Sequence, residues 1–189
     1  MSRLPQLVLI VSTLLGSWLG MQAVHELGHV LGAWLTGGHV ERVVLYPLTI
    51  SRTDVAPNPQ PLVVVWSGPI VGATLPLLLW GLAAVTRLPG AFLLRFFSGF
   101  CLLANGLYIA VGSFERIGDS GEMLRNGSQP WQLWLFGAIT APAGLWLWHG
   151  QGPHFGLGPA KGHVIPRVAY ASFVVFVVLL AFGFVVGGE

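Results

Sequence analysis

Along this chain, apolar runs close to membrane-spanning length alternate with short polar or glycine-rich breaks. A hydrocarbon core of ~30 Å is crossed by ~20 helical residues, and five runs approach that length. The first, 4–36, would be roughly 50 Å long as one helix. It must either tilt and protrude or break near Gly16 to Gly20, and Gly37 and Gly38 suit its C-terminal stop. The others are 62–86, 91–112, 131–148 and 168–186. Between the first two lies "VERVVLYPLTISRT", rich in β-branched residues, which predicts one or two short strands over 39–52. Pro47 suits an edge or a turn there, and "DVAPNPQP" reads as a connector. The stretch 113–130 is the most polar part, and 149–166 is a glycine-rich loop. The expected fold is an all-α polytopic membrane protein, a single domain over 1–189 with about five transmembrane helices and a short β-hairpin after the first.

Composition sharpens this. Of the residues, 54% are hydrophobic and 8% are charged, against roughly 25% charged in an average soluble protein. A soluble domain is thereby excluded, and a multi-pass integral membrane protein with the lipid bilayer as its surroundings is expected. The net charge of +2 comes from scattered arginines with no basic run, so no nucleic-acid partner is implied. The arginines divide too evenly between the two sides to set an orientation. The opening "MSRLPQLVLIVSTLLGSWLG" starts like a signal peptide, but no small-residue cleavage site follows, and it reads as a retained helix. Cys101, the lone cysteine, lies in an apolar run and is expected in the core.

The chemistry concentrates in "AVHELGHVLG". His25, Glu26 and His29 form H-E-x-x-H. On a helix, positions four apart share a face, so both imidazoles can reach one metal ion. Glu26 is placed as the general base that takes a proton from an activated water. A chance match arises in on the order of one in a few hundred chains of this length. Two histidines and a carboxylate are costly to place in a membrane helix without purpose, at about 2–3 kcal/mol for the acid alone. A catalytic zinc takes a third protein ligand and keeps an open position. Candidates are Asp119, Glu122, Glu115 and His39. If the helices cross in alternation, the segment holding Asp119 lies on the same side as His25 and His29, and the loop with His149, His154 and His163 lies opposite.

"AVHELGHVLGAWLTGGHVERVVLYPL", "WSGPIVGATLPLLL" and "ANGLYIAVGSFERIGDSGEMLRNG" together resemble the site-2 protease superfamily, the M50-type intramembrane zinc metalloproteases, and most closely their compact M50B-like branch. The resemblance spans 21–127. It implies an intramembrane zinc metalloendopeptidase that hydrolyses a peptide bond in or near a membrane-protein substrate's transmembrane segment. The family's third ligand is an aspartate on a later segment, commonly in an L-D-G context. Asp119 is the matching position, flanked here by Gly118 and Ser120, with Glu122 as the alternative. The resemblance also implies short strands that pair with an unwound substrate, a role "VERVVLYPLTIS" would fill, and a bacterial plasma membrane. It gives Asn105 a place in substrate binding or ligand orientation; an interhelical hydrogen bond is the plainer role for a polar residue there. The competing functions are a catalytically silent membrane metal-binding protein and a small transporter.

Overall fold

The computed structural model describes residues 3–186. The order is α1 (Leu4–Thr36), β1 (Val40–Val44), β2 (Arg52–Val55), α2 (Pro61–Val85), α3 (Ala91–Glu115), α4 (Gly118–Arg125), α5 (Pro130–Trp148), two 3-10 turns (Gly152–Phe155 and Gly158–Ala160) and α6 (Pro166–Val186).

α1 runs unbroken for 33 residues. Its central glycines serve close packing instead of a break: a Cβ on Gly16 would touch Phe176 of α6, and one on Gly20 would meet the Phe97 ring of α3 at 3.1 Å. The helix stops where the glycine pair lies. Gly37 takes a left-handed conformation, φ 76°, and donates its N–H to Ala33 O, as an αL cap does.

The hairpin forms where strands were expected, but its second strand lies later. β2 covers Arg52–Val55 and so takes in Asp54 and Val55, which read as connector. The cause is register: Val40 faces Val55, Val43 faces Thr53 and Val44 faces Arg52, with an irregularity between Val40 and Arg42. Backbone bonds extend the pairing past the strands, His39 N–H to Pro57 O at 3.0 Å and Ala56 N–H to His39 O at 2.9 Å. Pro47 falls in the turn, and Tyr46 beside it stacks edge-on with Phe184 of α6.

α1 is central, packing on α2, α3 and α6, while α5 packs on α3. Small residues allow these approaches. Gly144 of α5 lies so near α3 that a Cβ would sit 2.6 Å from Gly99 O, and a Cβ on Gly28 of α1 would run into the Ser67 carbonyl of α2. The described residues contain four helices long and apolar enough to cross a membrane: α1, α2, α3 and α6. The fifth expected span is present as α5, 19 residues long, but Gln132, two prolines, two glycines and four tryptophans dilute its apolar character. The polar stretch 113–130 is more ordered than a loop. α3 continues to Glu115, and α4 follows as a short amphipathic helix. Its Met123 is buried in a cluster with Val65, Ile109 and Leu133.

Candidate functional site

His25, Glu26 and His29 lie on one face of α1 in its second half, and all three are buried. The neighbouring helices hold the two imidazoles by their Nδ1 atoms. The Asn105 amide of α3 donates through Nδ2 to Cys101 O at 2.9 Å, which leaves its Oδ1 to accept from His25 Nδ1 at 2.6 Å. His29 Nδ1 donates to the Val64 carbonyl of α2 at 2.9 Å. α2 can come this near because Gly68 has no side chain; a Cβ there would overlap the His29 ring.

These bonds fix where the hydrogens are. Both Nδ1 atoms carry one, so in the neutral rings both Nε2 atoms present lone pairs. The lone pairs converge on one another at 3.1 Å and on Asp119 Oδ2, at 2.8 Å from His25 and 3.4 Å from His29. Three acceptor atoms this close repel unless a cation, proton or metal ion, lies among them. His25, His29 and Asp119 could hold a metal ion. Ligand atoms around a tetrahedral zinc with ~2.0–2.1 Å bonds are roughly 3.3 Å apart, so the donor set fits with shifts of a few tenths of an ångström.

α4 delivers Asp119. Arg116 closes α3 in the left-handed region, φ 56°, and Gly118 follows at φ 51° against the Tyr108 hydroxyl. Asp119 then occupies the first turn of α4, where the helix dipole favours a carboxylate. Its N–H donates to the Tyr108 hydroxyl at 3.2 Å, and Ser120 Oγ donates to Ile109 O at 3.0 Å, tying the turn to α3. Burial alone would raise the Asp119 carboxyl, but a proton held on the imidazole Nε2 atoms donates to it, outweighs the burial and keeps the group well below the ordinary carboxylate range. With 21% of its side chain exposed, Asp119 gives the cluster its opening, beside the partly exposed Tyr108.

Glu26 stands outside the ligand cluster. It is 3% exposed, and its Oε2 accepts from the Thr53 hydroxyl of β2 at 2.7 Å. The hairpin is thus fastened to the carboxylate beside the candidate metal site.

The other candidates for a third ligand lie apart. Glu122 is exposed on α4 and faces Arg125 at 3.6 Å. Glu115 and His39 are also exposed. The loop with His149, His154 and His163 is at the far end of the molecule. There Phe155 packs with Leu9, near the start of α1, and His154 stacks on Phe92. Asn105 is 1% exposed and fully engaged with His25 and Cys101, so the geometry favours ligand orientation over direct substrate contact.

Tyr108, Thr53 and the Val64 carbonyl escaped the sequence reading. Tyr108 had a signal, being three residues after Asn105 on the same face of α3. Thr53 had none before the register of β2 was known, and a backbone carbonyl leaves no trace in residue identity.

The role of Asn105 has a direct test. Asn105→Leu keeps the bulk but removes the acceptor for His25 Nδ1. Metal affinity is expected to fall about 10–100-fold, the usual cost of losing an outer-shell partner, as read by competition with a chromogenic chelator.

Comparison of the chain with protein-family models, curated proteins and solved structures returned no match.

Proposed function

We propose that this chain is an intramembrane zinc metallopeptidase, a multi-pass membrane protein that hydrolyses a peptide bond in or near the transmembrane segment of another membrane protein. The convergence of two imidazole lone pairs and a carboxylate oxygen, beside a buried glutamate that is not part of the cluster, carries this reading. The resemblance of the motif segments to site-2 proteases supports it.

His25, His29 and Asp119 would hold the ion, and the cluster is accessible beside the partly exposed Asp119. Zinc bound there would acidify a water molecule and polarise the scissile carbonyl. Glu26 takes a proton from the attacking water as the new C–O bond forms and then passes it to the amide nitrogen, which leaves as the C–N bond breaks. Thr53 occupies one carboxylate oxygen of Glu26 and leaves the other for this transfer. Asn105 and the Val64 carbonyl keep both Nε2 atoms directed inwards. A peptide bond within a helix keeps its polar groups paired internally, so it must be unwound before attack. β2, fastened to Glu26 through Thr53, lies where an unwound segment could add as a further strand.

The test is co-reconstitution in liposomes with single-span polypeptides that carry helix-weakening glycine or asparagine within the span, with products identified by mass spectrometry. Cleavage is expected to stop with 1,10-phenanthroline and return with added zinc. Cleavage indifferent to the chelator, or none across the panel, would contradict the reading.

A further inference from the structure

The face of α1 that carries the site extends one turn further. Gln22 precedes His25 by three residues, Glu26 by four and His29 by seven, so all four side chains share one stripe. Gln22 is 7% exposed, and its Nε2 is buried with no acceptor in reach among the described residues. A donor without a partner is costly in a helix this apolar. The other buried polar side chains of this stripe are all bonded: His25 to Asn105, Glu26 to Thr53, His29 to Val64. Towards the N-terminus the same stripe continues as Trp18, Leu15 and Val11, each about half exposed. An apolar, uncovered helix face therefore leads through one unpaired amide to the candidate catalytic residues.

We propose that Gln22 is a substrate-binding residue that grips a peptide group of the unwound segment next to the scissile bond. This rests on the zinc-peptidase reading above. A glutamine amide offers two N–H donors and a carbonyl acceptor, so it can bond to the C=O or the N–H of a peptide group. Inside a substrate helix the N–H and C=O of each peptide group are already bonded within the helix. Gln22 can therefore pair only with a segment that has left its helix, and it rewards unwinding at the place where water attack needs it. The apolar stripe from Val11 to Trp18 lies against the part of the substrate that is still helical.

The experiment uses the full-length, zinc-loaded protein in detergent and two probes. Acetohydroxamate reaches only the metal, and an apolar dipeptidyl hydroxamate reaches the metal and also presents peptide groups. Gln22→Leu removes the amide, and Gln22→Met does the same with an unbranched side chain should leucine disturb folding. The expected result is about tenfold weaker binding of the dipeptidyl probe, the worth of one or two net hydrogen bonds. Acetohydroxamate binding should be unchanged. The melting temperature should be equal or higher, since an unpaired buried donor has been removed. Unchanged dipeptidyl binding would overturn the proposal and leave Gln22 holding a water or packing. Equal weakening of both probes with a lower melting temperature would also overturn it, in favour of a structural role. If the wild type binds neither probe, the zinc site itself fails, and that outcome is separate from a failure at Gln22 alone.

Discussion

Glu26→Gln is expected to lower cleavage by about 10²–10⁴-fold, the range that a positioned general base contributes, while metal stays bound. The substitution keeps the shape of the side chain, and its amide oxygen can still accept from Thr53, so the hairpin anchor survives. The lost property is proton acceptance. Metal retention follows because Glu26 is not one of the three groups whose ligand atoms converge. The check is to measure cleavage rate and metal content on the same preparation. A silent metal-binding protein would show no cleavage before or after the change. Cleavage that survives it would remove Glu26 from the chemistry. Loss of metal together with activity would mean that the carboxylate is a ligand or a support for one.

The second large effect concerns the carboxylates of α4. Asp119→Ala is expected to weaken metal binding more than about 100-fold, beyond the loss typical of an outer-shell partner, and Glu122→Ala to leave it unchanged. The two residues are three positions apart on one short helix, and the sequence offered both. Asp119 Oδ2 lies 2.8 and 3.4 Å from the two imidazole nitrogens. Glu122 is exposed and turned to Arg125, in a surface pair of a kind that contributes little. Competition titration of both variants against a chelator of known affinity decides the matter. Equal losses would mean that α4 positions its carboxylates differently from the arrangement here.

The long apolar helices were legible because each is a long apolar run, and the two imidazoles because four-residue spacing on a helix leaves little freedom for where they point. Asp119 was the favoured third ligand, from the alternation of the helices and the resemblance, with Glu122 left open beside it. What selects it is the reversal at Arg116 and Gly118, where backbone in the left-handed region turns α4 back under α3. The limits of β2 escaped because the proline-rich "DVAPNPQP" reads as connector throughout, while pairing with Arg42 and Val40 draws its first two residues, Asp54 and Val55, into the strand. With β2 went Thr53, whose contact with Glu26 exists only in the paired hairpin. The count of five spans treated α5 as equal to the rest, although its tryptophans and glycines make it less apolar than its length suggests. Gln22 stands out only once its neighbours on the stripe are seen to be bonded and its Nε2 is not.

The central claim is that His25, His29 and Asp119 form a metal centre. The most direct test is metal content per chain, by elemental analysis, for wild-type protein purified without chelators, beside His25→Ala and Asp119→Ala. The account predicts about one zinc per wild-type chain, consistent with a single three-ligand site, and a loss of it in both variants. A metal-free wild type that cannot be reloaded with zinc would contradict the account, and the converging groups would then be held together by a proton.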